Sequence, residues 1–316
     1  MPSGFTATSS ATASARPLAL AAVAVAVLTW GWSNVVIKAV STTGLVASFY
    51  RLWFAIPLLW LLPVIMPSTR ARLTRSWLTA SLAGGALFAV HQILFFSSLK
   101  LTSVANVTII GALQPALVLL VAGRLFAERA SAGAVISALV AVAGTILVIA
   151  GSAGTPHWSP LGDALATVNL FAFTAYFLAS KHFRASVGAT EYVLGMTTVA
   201  GLLMMIAALA TKQDLLSPRG WDWPFLLFIA VLPGTLGHFL TNWAHPHLPA
   251  FLLSVMLLAV PVIATSGAAV FLDESLNLTQ VAGGSIVLAA IGTLVQTTAA
   301  PAADELAESA AETDAP

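Results

Sequence analysis

The chain contains no cysteine and very few charged residues for its length. Only 8% of its 316 residues are Asp, Glu, Lys or Arg, whereas about a quarter is usual in a soluble domain. The lack of cysteine excludes disulfides, thiolate metal sites and thiol redox chemistry. So few charges cannot cover the surface of a soluble protein of this size, which excludes a soluble enzyme. A nucleic-acid-binding protein is also excluded, because no dense basic patch is present to neutralise phosphates.

Apolar sequence takes the place of the missing charges, since 59% of the residues are hydrophobic and the mean hydropathy is +0.94. Short linkers separate apolar runs, each close to the ~20 residues that a membrane-spanning helix needs. The runs cover residues 18–38, 44–66, 77–99, 101–122, 131–150, 160–180, 190–210, 224–244, 249–271 and 277–297. They are continuous and rich in Ala and Leu, which argues against the alternating pattern of a membrane β-barrel. The sequence therefore predicts an all-α polytopic membrane protein with ten transmembrane helices.

The two ends of the chain differ from this apolar body. Residues 1–16 are rich in Ser, Thr and Ala, and residues 298–316 are rich in Ala and acidic side chains. Both segments are predicted to be disordered tails. Residues 18–28 resemble the apolar part of a signal peptide, but they continue into Trp30 without a clear small-residue cleavage site. We interpret them as the start of the first span.

Basic residues in the linkers predict how the spans are oriented. With a cytoplasmic N-terminus, the cytoplasmic segments carry eight Lys and Arg residues and the outer ends carry four. The eight are Arg16, Arg70, Arg72, Arg75, Arg124, Arg129, Lys181 and Arg184, and the four are Lys38, Lys100, Lys212 and Arg219. Because cytoplasmic loops are enriched in Lys and Arg, both termini of this plasma-membrane protein are predicted to be cytoplasmic.

The chain also contains an internal repeat. Pro115 is followed thirteen residues later by Glu128, and Pro261 is followed thirteen residues later by Glu274, so the offset between the pairs is 146. Three further matches lie at an offset of 143: Pro17 with Pro160, Trp30 with Phe173, and Lys38 with Lys181. Each half has an odd number of spans, so the second half must enter the membrane from the opposite side. Such inverted repeats recur in secondary transporters, and we predict two five-helix units, over residues 17–150 and 159–297.

Several short motifs follow one another in a specific order and spacing. They are Trp30-Gly31-Trp32-Ser33-Asn34 with Lys38, then Ser98-Leu99-Lys100-Leu101-Thr102-Ser103-Val104-Ala105-Asn106, then Leu113-Gln114-Pro115 with Glu128, then Gly162-Asp163, and finally Pro261 with Glu274. Together these motifs resemble EamA-type transporters of the drug/metabolite transporter superfamily, over roughly residues 18–297. The resemblance implies two inverted five-helix units and the export of small metabolites, often amino acids.

Polar and ionisable side chains inside the apolar runs are the candidate substrate ligands, because burying them in a bilayer is costly. They are Arg51, His91, Gln92, Asn106 and His238, and Trp32 and Tyr176 are predicted to add an apolar wall. No Asp or Glu falls in the middle of a predicted span, which argues against an exporter of cationic drugs. A guanidinium without such an acid suits a substrate carboxylate, although outward snorkelling of Arg51 is an alternative. The sequence thus predicts an amino acid or a related zwitterion or anion as the small-molecule substrate.

Two prolines and three acids near the span ends are further candidates. Pro115 and Pro261 lie in mid-span, where each should bend its helix. We predict that the two bends act as paired gates, and the alternative is that they only shape packing. Glu128, Glu274 and Asp163 are predicted to cap helices or to pair with nearby cations.

Other functions remain as alternatives to a secondary transporter. A passive channel and a non-transporting membrane subunit are both compatible with the composition. An intramembrane enzyme is disfavoured, because the spans offer no nucleophile with a base and no aspartate pair. His238, His245 and His247 lack the carboxylate or thiolate support of a metal site, so neither a metal nor a cofactor is predicted. The lipid bilayer is an expected partner, nucleic acid is not, and a homodimer is compatible with the sequence.

Overall fold

A computed structural model describes residues 6–65, 74–152, 159–271 and 276–313, and its regular structure in these residues is entirely helical. The helices are α1 (Thr6–Ala39), α2 (Gly44–Ile65), α3 (Arg75–Leu101), α4 (Val104–Gly111), α5 (Gln114–Phe126), α6 (Ala132–Ser152), α7 (Pro160–Arg184), α8 (Ala189–Ala210), α9 (Asp222–Ile229), α10 (His238–Ala244), α11 (Ala250–Met256), α12 (Val260–Phe271) and α13 (Leu278–Thr313). A π-helical segment, Ala230–Gly237, joins α9 to α10, and a 3-10 turn, Leu257–Ala259, joins α11 to α12. The all-α prediction is confirmed for this part of the chain.

Nine helical stretches among the described residues are long and apolar enough to cross a membrane. Two of them are composite, because α4 and α5 form Val104–Phe126, and α9, the π-helical segment and α10 form Asp222–Ala244. A shorter apolar stretch, Ala250–Ser266, lies where the ninth predicted span falls. There α11, the 3-10 turn and α12 follow one another without a gap. The count of ten spans therefore stays a prediction.

The structure differs from the sequence analysis at both ends of the chain. Helix α1 begins at Thr6 and α13 continues to Thr313, so helix extends into both segments that the composition predicts to be disordered. Both segments are rich in alanine, which has the highest helix propensity of all residues. The predictions that involve Arg70, Arg72 and Glu274 lie outside the described residues.

Each half of the molecule breaks one span immediately before a proline. Pro115 is the second residue of α5, and Pro261 is the second residue of α12. A turn precedes α5 and the 3-10 turn Leu257–Ala259 precedes α12. Proline fits the first turn of a helix, because the amide hydrogen that it lacks would have no intrahelical partner there. Both prolines thus stand at the same place in their units, directly after an interruption.

Equivalent lysines also make equivalent contacts in the two halves. The Nζ atom of Lys38 donates to the carbonyl oxygen of Thr102 at 2.7 Å, and the Nζ atom of Lys181 donates to the carbonyl oxygen of Leu248 at 2.7 Å. The lysines match at the offset of 143, and the two carbonyls match at the offset of 146 that relates the prolines. The repeat seen in the sequence is therefore present in the side-chain contacts.

Helices α6 and α13 pack closely through small residues. A Cβ atom added to Gly283 would lie 2.7 Å from the carbonyl oxygen of Gly144 and 2.7 Å from the backbone nitrogen of Val148. Only glycine allows the two backbones to approach in this way, as is common where helices associate in a membrane. This contact joins the last helix of the first unit to the last helix of the second.

Candidate functional site

A cavity of about 160 Å³ lies between the two halves of the molecule. Every helix except α8, α9 and α13 contributes to its wall, which also includes parts of the π-helical segment and the 3-10 turn. Arg51, His91, Gln92 and His238 are buried polar side chains on this wall. Further buried polar side chains that line it are Ser33, Asn34, Gln114, Thr145, Asn169 and Ser254. A concave, mostly apolar site with a few convergent polar groups is the usual form of a small-molecule site.

The two repeats place matching positions on this wall. The pairs are Trp30 with Phe173 at the offset of 143, and Gln92 with His238, Thr108 with Ser254, Ala112 with Leu258, and Gln114 with Val260 at the offset of 146. Substrate sites of transporters built from inverted repeats lie at the interface of the repeats. The cavity therefore has the position expected of such a site.

Arg51 is a buried cation on the cavity wall, with 4% of its surface exposed. Its Nη1 atom donates a short hydrogen bond to Oε1 of Gln92. The guanidinium carbon lies 5.7 Å from the ring centre of Phe88 and 5.8 Å from that of Phe96. No carboxylate of the described residues pairs with Arg51. The ion pair seen among those residues joins Lys181 to Glu128. Because an uncompensated buried charge is costly, the other guanidinium donors are suited to an anionic ligand group.

His91 is held in one orientation by a hydrogen bond and by aromatic contacts. Its Nδ1 atom lies 2.7 Å from Oδ1 of Asn169. An amide oxygen only accepts hydrogen bonds, so the network assigns the proton to Nδ1 and leaves Nε2 as an acceptor. The ring lies between Phe173 and Phe95, at centroid distances of 4.7 and 5.6 Å. His91 therefore offers the site a hydrogen-bond acceptor.

His238 is also held by a hydrogen bond and by an aromatic contact. Its Nδ1 atom lies 3.2 Å from the hydroxyl of Tyr176, and that hydroxyl accepts a hydrogen bond from Nδ2 of Asn242 at 3.1 Å. Because a tyrosine oxygen can accept two hydrogen bonds, and Ser180 is a further hydrogen-bond partner of Tyr176, these contacts are compatible with either tautomer of His238. The ring of Trp30 packs on His238 at 4.9 Å between centroids. The contacts with Tyr176 and Trp30 thus hold the His238 ring in one position on the cavity wall.

The structure brings only some of the predicted substrate ligands to the cavity. Arg51, His91, Gln92 and His238 line it, but Asn106 does not. The Nδ2 atom of Asn106 donates to the carboxylate of Asp163 at 3.1 Å and to Oγ1 of Thr102 at 3.2 Å. These bonds connect the start of α4 to the start of α7. Asn106 is thus held by side-chain hydrogen bonds between helices, outside the cavity, and Ser159 rather than Asp163 caps α7.

The two aromatic residues predicted for the wall are also outside it. Tyr176 stands behind His238 as its hydrogen-bond partner. Trp32 is 37% exposed, and Trp30 lines the cavity in its place. Residues two apart on a helix point to different sides, so only one of the two tryptophans can face inward. Of the two predicted gating prolines, Pro261 lines the cavity, whereas Pro115 is buried beside it.

The sequence analysis did not select three residues that shape the cavity: Trp30, Asn169 and Phe173. The repeat held a signal for two of them, because Trp30 and Phe173 match at the offset of 143. Asn169 carried the same signal as Asn106, an amide inside an apolar run, and the structure adds its contact with His91. Among the described residues, no group of three His, Asp or Glu side chains is arranged to hold a metal ion.

Comparison with known families identifies the chain. The model of the EamA-like transporter family matches residues 17–150 and again residues 160–296. The chain therefore belongs to the EamA-like transporter family, which confirms the resemblance noted in its motifs. Together with the apolar helices, this membership points to a multi-pass transporter of the plasma membrane and not to an enzyme.

Two curated proteins and one solved structure are similar to the chain. It is 26% identical over 185 residues to the aromatic amino acid exporter YddG of Ancylobacter novellus, covering 57% of this chain and 63% of that protein. It is 30% identical over 103 residues to the probable terminal-alkyne amino-acid exporter of Streptantibioticus cattleyicolor, covering 32% and 33%. The chain thus spans less than two thirds of the length of the curated relatives that it matches. A crystal structure of another protein, 20% identical, shares the fold with a TM-score of 0.71 over 88% of this chain and 97% of that one.

Proposed function

We propose that this EamA-family protein is a secondary transporter that exports a small metabolite, namely an amino acid or a related zwitterion or anion, across the plasma membrane by alternating access. The observation that carries the proposal is Arg51, a buried guanidinium without a carboxylate partner among the described residues, on the wall of a cavity lined by both repeats. The names of the two curated relatives, both called amino acid exporters, support the same class of substrate.

The contacts of the cavity suggest how such a substrate binds. Its carboxylate accepts hydrogen bonds from the guanidinium of Arg51, which Gln92 holds in place, and a charge-assisted pair of this kind is strong. Its ammonium group donates to Nε2 of His91, which the bond to Asn169 leaves as an acceptor. An apolar or aromatic side chain packs against Trp30 and Phe173 on the cavity wall. The volume of about 160 Å³ suits a small metabolite rather than a large drug.

The cavity lies between contacts that join the two repeats at both ends of the spans. In the proposed topology, the chain crosses the membrane ten times and has both termini in the cytoplasm, and Ala250–Phe271 is the ninth span. Ile37 near the outer end of α1 and Phe96 near the outer end of α3 line the cavity. At the inner end, Lys181 and Glu128 form a salt bridge between the two repeats. At the outer end, Asn106 on α4 and Asp163 on α7 also join the two repeats, so alternating access would open one of these two sets of contacts at a time.

The proposal is tested by reconstituting the full chain into liposomes and measuring counterflow of labelled aromatic amino acids. A carrier takes up label faster when unlabelled substrate is present on the other side, and we expect this stimulation for phenylalanine or tryptophan. Arg51→Ala should strongly reduce it, whereas Arg75→Ala, which removes an exposed cation at the start of α3, serves as the control. Uptake without stimulation would indicate a passive channel, and transport of quaternary ammonium dyes would contradict the proposed charge of the substrate.

A further inference from the structure

A second cavity, of about 620 Å³, runs along the outside of the molecule between α5 and α7, and it shares no residue with the site described above. Thr174 and Leu178 form its buried floor. Exposed side chains form its rims, with Leu125 on α5 and Phe171 on α7, which are 58% and 57% exposed. We call this feature the α5–α7 groove.

The shape and chemistry of the α5–α7 groove suit a linear apolar chain. Its α7 residues, from Phe171 to Phe183, follow the helical period, so the groove runs lengthwise for about 18 Å at 1.5 Å per residue. Thr174 is the floor's polar side chain, and its hydroxyl already donates to the carbonyl oxygen of Leu170 at 2.7 Å. The floor therefore offers no unsatisfied donor to a polar ligand.

One end of the α5–α7 groove is cationic. His182 is exposed and lines this end, and Arg124 is exposed next to Leu125 in the last turn of α5. Arg124 has no ion pair with any described residue, whereas the neighbouring Lys181 is neutralised by Glu128. Basic pockets between membrane helices, close to the headgroup region, are suited to the phosphates of anionic lipids.

We propose that the α5–α7 groove binds an anionic phospholipid, with one acyl chain between the helices and the phosphate on Arg124 and His182. The lipid belongs to the leaflet that contacts the ends of α5 and α7, which is the cytoplasmic leaflet in the proposed topology. The groove wall combines the large side chains of Leu125 and Phe171 with the small residues Ala175 and Ala179. A second copy of the chain would have to bring a carboxylate to Arg124, whereas an anionic phospholipid carries its phosphate next to its acyl chains.

The test is lipid binding to the delipidated full chain in detergent, measured by native mass spectrometry. Phosphatidylglycerol and phosphatidylcholine with the same acyl chains are the probes, and we expect phosphatidylglycerol to bind more tightly. Arg124→Gln should weaken phosphatidylglycerol binding about fivefold, from the ~1 kcal/mol expected per basic residue near a lipid surface, and should leave phosphatidylcholine unchanged. Arg75→Gln is the matched control, because Arg75 is an exposed cation away from the α5–α7 groove.

A second variant tests the acyl-chain site itself. Ala175 is exposed and lines the α5–α7 groove, so Ala175→Phe should fill it and reduce the binding of both lipids. Ala143→Phe on the exposed face of α6 is its control. Equal binding of the two lipids by the unmodified chain, or unchanged binding by Ala175→Phe, would overturn the proposal. A dimer that disappears in Ala175→Phe would overturn it too, in favour of a second copy. The readout is bound lipid, so it does not depend on whether the proposed amino acid transport is correct.

Discussion

Lys181 and Glu128 form a salt bridge that joins the two repeats, with Nζ 2.5 Å from Oε1. Glu128 follows α5 in the first unit, and Lys181 lies near the end of α7 in the second. The other carboxylate oxygen of Glu128 accepts a hydrogen bond from the backbone nitrogen of Ala250 at 2.8 Å, at the start of α11. The two side chains are only 12% and 21% exposed, so this pair ties three helices together at one end of the molecule.

Replacing Glu128 with glutamine should weaken the closure of that end. The variant leaves the largely buried Lys181 without a counter-charge, which we expect to cost about 1–2 kcal/mol, or a factor of about 5–30 in the equilibrium between the closed and the open end. The chain has no cysteine, so a single Ser33→Cys thiol on the cavity wall can report access. In Glu128→Gln, the rate at which this thiol reacts with an impermeant reagent added from the cytoplasmic side should rise by that factor. Glu191→Gln at the start of α8 is the control, and an unchanged rate in Glu128→Gln would show that the pair does not hold this end closed.

Features that depend on runs of sequence were predictable here. Apolar runs and spaced motifs indicate the helical fold, the order of the spans and the family. Both can be recognised without knowing which residues are neighbours in space. The matching contacts of Lys38 and Lys181 follow from the repeat for the same reason. Helix ends were less predictable, because an alanine-rich segment can continue a helix past the apolar region, as α13 does.

Individual contacts of the cavity were harder to predict, because they depend on which partner lies nearest in space. The sequence predicts that Asn106 is an intramembrane substrate ligand, but its amide group donates a hydrogen bond to the carboxylate of Asp163, 57 residues away. Trp30 and Trp32 are equivalent by type, and only the rotation of α1 decides which one faces the cavity. The partner of Asn106 and the orientation of the two tryptophans depend on how several helices pack, which cannot be determined from a single sequence.

The close approach of α6 and α13 predicts a strong effect of a larger residue at Gly283. In Gly283→Val the new side chain would collide with the backbone of Gly144 and Val148, so the two helices must separate. Overpacking of this kind costs about 1–3 kcal/mol, and the apparent melting temperature in detergent should fall. Gly292→Val on the same helix is the control, because a Cβ atom there meets nothing within 4 Å. Equal melting temperatures for the two variants would contradict the close packing.

The paired breaks predict that Pro115 and Pro261 matter for transport more than for folding. Alanine at either position restores an amide hydrogen and favours a continuous helix across the break. We expect normal or improved expression of Pro115→Ala and Pro261→Ala, with slower counterflow in each. Pro57→Ala, at an exposed proline inside α2, should transport normally. Full transport by the Pro115→Ala/Pro261→Ala double variant would show that the prolines only shape packing.

The excess of basic residues predicts the orientation of the chain in the membrane. Reporters fused after Pro316 or inserted in residues 67–76 should score as cytoplasmic, and a reporter in residues 151–158 should score as external. The physical reason is that Lys and Arg are retained on the cytoplasmic side during insertion. An external score for the C-terminus together with a cytoplasmic score for residues 67–76 would require a different parity of spans, and the prediction of two inverted five-helix units would then be wrong.

Arg51 provides the sharpest test of how the substrate is recognised. It lies about 10 Å along α2 from the start of that helix at Gly44, on the wall of the cavity and beside Gln92. If its guanidinium binds the substrate carboxylate, Arg51→Lys should impair counterflow, because an ammonium group cannot reproduce the two parallel hydrogen bonds of arginine. Arg51→Ala should impair it further. The measurement is the initial rate of counterflow over a range of substrate concentrations.

A general loss of activity would not by itself separate recognition from packing, so the substrate is varied as well. The unmodified chain should prefer a free amino acid to its amide by about tenfold to a hundredfold, because hydrogen bonds to charged groups contribute about 1.5–3 kcal/mol. Arg51→Ala should transport both compounds slowly and at similar rates, since the group that distinguishes them is gone. Gln92→Leu, which removes the acceptor that positions the guanidinium, should reduce the preference only in part. If Arg51→Ala keeps the full preference for the free acid, the carboxylate is bound elsewhere in the cavity.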